Sequence, residues 1–147
     1  MAYRIQCLSC DKETWATNII DLIENNTDGM FESHGGKLKC GSSGAQGYIR
    51  VESKLQEEKE TYIRFIKAVV RIRTDGATYY PYIFLNSSTK GGDVDHLHFN
   101  YYKDTRAQPG GKLKHGHGPG GAPVFGKPEF SKLLDRLREC GFLGPGN

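Results

Sequence analysis

Hydrophobic positions along the chain fall into two spacings, one of about 3.6 residues and one of 2. Trp15, Ile19, Leu22 and Ile23 recur at i, i+4, i+7 and i+8, which predicts a helix over residues 11–26 with one buried face. Asp11 stands where an N-cap belongs, and Glu13 suits the positive end of the helix dipole. The cluster Asn25, Asn26, Thr27, Asp28, Gly29 ends the helix. Near the C-terminus, Phe130, Leu133, Leu134 and Leu137 mark the buried face of a second helix over 128–140. Pro128 lies in its first turn and Gly141 at its cap.

Between these helices the spacing is that of strands. Residues 3–5 open a short strand that runs into Cys7, and 30–40 form a hairpin about Gly35-Gly36. Ile49 and Val51 share one face of a strand over 48–53, and the polar residues 55–60 connect it to the next. The strongest strand, 61–74, is rich in β-branched and aromatic residues. Its apolar positions change face midway, which calls for a bulge near Ile66-Lys67. After a tight turn at Asp75-Gly76, residues 79–85 are apolar on both faces, although Pro81 argues against unbroken ladder bonding. Residues 86–93 form a polar loop. In 95–104, Leu97, Phe99 and Tyr101 alternate with His96, His98, Asn100 and Tyr102. The expectation is a single α+β domain over 1–147, a mostly antiparallel sheet of four to six strands. An N-terminal and a C-terminal helix pack on one of its faces.

Composition sharpens this in one place. Nineteen glycines make up about 13% of the 147 residues, against a usual ~7%. Seven of them, with three prolines, fall in 105–126. The net charge of +3 is small, but residues 103–127 hold five basic residues (Lys103, Arg106, Lys112, Lys114, Lys127) and one acid, Asp104. A loop this long is a functional lid or a disordered segment, and its charge suits phosphate groups. Disorder in the free protein is the leading expectation. The segment is neither a phosphate-binding loop that opens a helix nor a dinucleotide fingerprint. No apolar run reaches the ~20 residues of a membrane helix, and the first thirty residues lack a signal peptide's apolar core. A cytoplasmic protein with reduced thiols is therefore expected, rather than a secreted or membrane-spanning one.

Two groups of residues carry candidate chemistry. Cys7-Leu8-Ser9-Cys10 is a C-x-x-C pair, which can hold one zinc ion from a tight turn. Cys40 supplies a third ligand; His34, across the Gly-Gly hairpin, supplies a fourth, with Cys140 as its competitor. The alternatives are redox chemistry, since Cys10 precedes the expected helix, and ordinary buried thiols. The second group is two H-x-H pairs, His96/His98 and His115/His117. On a strand, side chains two apart share a face about 7 Å apart, so such a pair can converge on a metal or a phosphate. With Tyr102, these histidines could also supply acid and base without metal. The plainer reading is a polar solvent face.

These features point first to a small zinc-stabilised binding protein. It would engage nucleic acid or a phosphorylated nucleotide through Lys103, Arg106, Lys112 and Lys114. The alternatives are a metal- or histidine-dependent phosphodiesterase or ribonuclease, and a protein-binding regulator or inhibitor with residues 79–82 as its contact surface.

Overall fold

The structure, a computed structural model, describes residues 3–24, 31–34, 37–54, 61–72, 79–115 and 125–143; the side chains of 24, 31–34, 53, 54, 61, 62, 79, 80 and 115 lie outside that description. Among the described residues are nine strands and two helices. The strands are β1 (Tyr3–Cys7), β2 (Glu13–Ala16), β3 (Phe31–His34), β4 (Lys37–Cys40), β5 (Gly47–Lys54), β6 (Thr61–Arg71), β7 (Tyr79–Ser87), β8 (His96–Asp104) and β9 (Leu113–His115). The helices are α1 (Ile19–Glu24) and α2 (Lys127–Glu139). All pairings are antiparallel, in the order β2-β1-β5-β6-β7-β8-β9, and the β3–β4 hairpin joins β6 through Lys37 opposite Ala68. The expected turns at 25–29, 35–36 and 75–76, the connector 55–60 and residues 116–124 lie outside the described residues.

The expected architecture is corrected in two respects. First, the protein is a nine-stranded antiparallel sheet with two short helices, and the long N-terminal helix does not form. Cys7 N–H donates to the Lys12 carbonyl at 3.1 Å, which turns the chain back so that residues 13–16 pair with β1 as an edge strand. Thr14 then faces inward, and Trp15, read as a helix anchor, points outward and is 64% exposed. The N-cap is Asn18, whose Oδ1 accepts the Asp21 N–H at 2.8 Å, and only one and a half turns follow.

Second, the two helices lie against opposite faces. Tyr82 and Phe84 of β7 pack with Ile19, Ile20 and Leu22 of α1. Their neighbours Ile83 and Leu85 pack with Leu133 and Leu137 of α2. Alternation along one strand sends these two sets to opposite sides of the sheet. β7 is thus covered on both faces, which is why residues 81–87 are all buried. Pro81 is accommodated where β6 has just ended, its carbonyl accepting the Ile72 N–H at 3.3 Å. The bulge stands where the change of face requires it, between Ile66 and Ala68. The Gln46 side-chain amide clasps it, donating to the carbonyls of Lys67 at 2.9 Å and Leu38 at 2.8 Å. On α2, Leu133 and Leu137 are buried, but Phe130 is 51% exposed. The helix ends with Gly141 N–H on Arg138 O and Phe142 N–H on Leu137 O, both at 2.9 Å, and Gly141 at φ 76°.

Candidate metal centre

Two turns build the cysteine site. The first is the β1–β2 turn, residues 7–12, which carries Cys7 and Cys10. The second follows β4: Cys40 N–H donates to Ala45 O at 2.8 Å and Gly44 N–H to Cys40 O at 2.9 Å. Gly44 sits at φ 75°, a conformation that side chains rarely adopt and that closes this turn tightly. Leu8 N–H donates to Gln46 O at 3.0 Å and locks one turn against the other. The result is three free thiols, Cys7, Cys10 and Cys40, with sulfurs all within 4.8 Å of one another. The Cys10 and Cys40 sulfurs are 3.7 Å apart. A tetrahedron with metal–sulfur bonds of about 2.3 Å has edges of about 3.8 Å, so the spacing fits a single ion.

Electrostatics points the same way. Burial raises the Cys7 thiol's pKa, but the Ser43 hydroxyl, the Ser9 N–H and hydroxyl and the Cys10 N–H outweigh it and bring it down to about 6. The Cys40 pKa also falls, led by the Ser43 N–H and hydroxyl. Cys10 accepts the Lys12 N–H, which favours its thiolate, yet the Cys7 sulfur, burial and the Cys40 sulfur together push its pKa up. Backbone donors thus favour thiolates throughout the site, while burial and hydrogen bonding to the Cys7 and Cys40 sulfurs keep the proton on Cys10. A divalent cation removes that conflict, because each ligand must be deprotonated and the ion supplies the missing positive charge.

The two candidates for a fourth ligand stand differently toward this cluster. Cys140 caps α2 and packs with the Leu133 cluster, apart from Cys7, Cys10 and Cys40. His34 is paired with Lys37, whereas Cys40 is paired with Phe31 at the far end of the hairpin. Three residue steps along a strand are about 10 Å. The His34 side chain lies outside the described residues.

The histidine group is arranged differently. His96 Nδ1 lies 2.6 Å from Asp95 Oδ1, and the Ser88 hydroxyl donates to Asp95 Oδ2. The carboxylate is therefore the central member, and the imidazole is not placed to take the Ser88 proton, as nucleophilic catalysis would require. The Ser88 hydroxyl first, and His96 next, hold Asp95 down at about 2. His98 packs edge-on to Phe84, with ring centres 6.2 Å apart. Tyr102 is half-buried against Tyr82, and burial lifts its phenol to about 12, well above the range of a neutral-pH acid or base. His115 is paired with Tyr102, four residues and about 14 Å along β8 from His98. Its side chain and all of His117 lie outside the described residues. Among the described residues, Cys7, Cys10 and Cys40 are the one group of three metal-ligating side chains drawn together.

Residues 105–115, expected to be disordered, form a built hairpin. Thr105 N–H donates to Lys112 O and Lys112 N–H to Thr105 Oγ1, both at 3.0 Å. A Cβ on Gly111 would fall 1.5 Å from the Thr105 carbonyl oxygen, so the turn tolerates only glycine there. Arg106, proposed as a phosphate ligand, is already occupied. It makes two 3.0 Å bonds to the Asp104 carboxylate and one of 3.0 Å to Asp21 of α1, which raises its pKa further. Lys103 and Lys114 are directly opposite each other on β8 and β9, exposed like Lys112, and none of the three has an ion-pair partner among the described residues.

No protein-family model matches the chain, and no curated protein or solved structure matches it either. Among the described residues no helix is long and apolar enough to cross a membrane.

Proposed function

We propose that this protein is a zinc-stabilised binding module. Cys7, Cys10 and Cys40 hold one structural zinc ion, and Lys103, Lys112 and Lys114 of the β8–β9 hairpin bind phosphate groups, those of a nucleic acid in the first instance. The observation that carries the metal half is the convergence of three sulfurs from two turns 30 residues apart in sequence, at tetrahedral spacing. Thiolates select zinc, copper(I) or iron–sulfur clusters, and zinc is the one that takes single-ion tetrahedral sites without redox chemistry. Three thiols this close persist in a reducing compartment, which goes with a cytoplasmic location. The binding half is supported by the opposed Lys103 and Lys114, a like-charge pair that costs the sheet stability and gains from an anion placed across it.

The test is a pair of titrations on the intact protein. Zinc binds one per chain, and chelation lowers the melting temperature. A fluorescent single-stranded oligonucleotide binds at low salt, and its affinity falls linearly with the logarithm of salt concentration. Loss of that salt-dependent binding in Lys103→Ala/Lys114→Ala supports the lysine assignment. Equal binding by that variant at every salt concentration contradicts it.

A further inference from the structure

Cys40-Gly41-Ser42-Ser43-Gly44 has the form of a second C-x-x-C turn with serine in the place of its last cysteine. Ser43 Oγ lies 3.3 Å from the Cys7 sulfur. A tetrahedral ion with three sulfur ligands and one oxygen has sulfur–oxygen edges of about 3.5 Å. The Ser43 hydroxyl also favours the thiolates of Cys10 and Cys40, so its influence reaches all three sulfurs. Burial gives the site a direction: Cys7 and Cys40 are buried, Cys40 completely, while Ser43 is exposed. Resting on the zinc reading above, we infer that Ser43 occupies the fourth corner of the metal site, and that this corner is the exchangeable one, open to a small external thiolate from solvent.

The chemistry follows from ligand type. A neutral hydroxyl is a weak ligand for a thiolate-bound ion compared with a fourth thiolate. Three thiolates on a divalent ion leave a net charge of −1. An incoming thiol loses its proton to solvent and, as the thiolate, displaces the neutral Ser43 hydroxyl or a water with no change of oxidation state, bringing the charge to −2. Closed structural sites lack such a position; sites with three protein ligands keep one.

Cobalt(II) in place of zinc reads the number of thiolates through its sulfur-to-metal charge-transfer intensity and its coordination through the visible d–d bands. Wild-type protein is expected to show three thiolates, and Ser43→Cys four, with zinc bound about tenfold or more tighter. Ser43→Ala, with only water left at that corner, keeps three thiolates. Added 2-mercaptoethanol shifts the d–d bands of wild type and Ser43→Ala and leaves Ser43→Cys unchanged. Four thiolates in wild type, no fourth thiolate in Ser43→Cys, or loss of metal in His34→Ala overturns the Ser43 assignment while leaving the metal reading in place. Failure of wild-type protein to bind cobalt or zinc at all overturns both.

Discussion

The cysteine turns and the β8–β9 turn, at different places on the sheet, put their polar atoms to opposite uses. In the cysteine turns, backbone N–H groups and the Ser43 hydroxyl converge on sulfur and favour thiolates at Cys7 and Cys40, between which Cys10 keeps its proton. That end is electrostatically incomplete and calls for a cation. In the β8–β9 hairpin, the loop groups satisfy each other. Thr105 bonds Lys112, and Arg106 is neutralised by Asp104 and Asp21. That end is complete without a ligand, apart from three exposed lysines. A run of basic residues in sequence is thus a poorer guide to a binding site than a run of cysteines. Arg106 finds carboxylates within its own fold, whereas among the described residues the three adjoining sulfurs are met by neutral N–H and hydroxyl donors rather than by a cation.

The largest effect separating the two ends is loss of metal. At a metal concentration a hundredfold above Kd, binding stabilises the native state by about 2.7 kcal/mol. For a chain of this size that is about 5–10 °C in Tm. Cys40→Ser is expected to lose the whole of this metal-dependent increment in a thermal melt with and without chelator. An undiminished increment would mean that the ion is held elsewhere.

Gly111→Ala comes next. The added methyl meets the Thr105 carbonyl, so the β8–β9 turn must open, at a cost of about 1–3 kcal/mol in denaturant unfolding. Metal stoichiometry stays at one per chain, because the cysteine turns are on other strands. Coupled loss of metal would show that the two ends are not independent. Smaller still is Lys103→Ala/Lys114→Ala. Removing the like-charge pair raises stability by up to about 0.5 kcal/mol. The same variant lowers the salt slope of single-stranded oligonucleotide binding by about 1.4.

The smallest effect is that of pH on Asp95. Its folded pKa, about 2, is below the usual carboxylate value, so its contribution is complete above about pH 4 and is lost as pH falls towards 2. The carboxylate is exposed and its contribution correspondingly small. Wild type and Asp95→Asn should differ in Tm at pH 6 and converge near pH 2. A difference that persists at pH 2 would assign the effect to the side chain's shape.

The parts of the fold legible in sequence were those in which one residue pattern admitted one structure. The hairpin 30–40, the bulge at Ile66 and the burial of β7 on both faces are of this kind, as is the cap at Gly141. The N-terminal helix is shorter than its spacing predicts: Ile19, Leu22 and Ile23 do lie on the inner face of α1, and only Trp15 matches that spacing by coincidence. The C-x-x-C turn is itself a chain reversal, and it delivers residues 13–16 to an edge strand before a helix can start. Placing both helices on one face failed because β7 alternates apolar residues to both sides, so each side attracts a helix. In the site, three of four proposed metal ligands converge. Ser43 was missed, although its spacing from Cys40 repeats that of Cys10 from Cys7. Hydroxyls are too common in turns for serine to stand out until its distance to sulfur is known.

On the reading proposed above, the three sulfurs, and not the histidines, hold one metal ion. Native mass spectrometry of protein purified under reducing conditions tests it directly. One zinc per chain is expected in wild type and in His96→Ala/His98→Ala, and none in Cys40→Ser. Metal absent from wild type, or lost with the histidines and kept without Cys40, would contradict it.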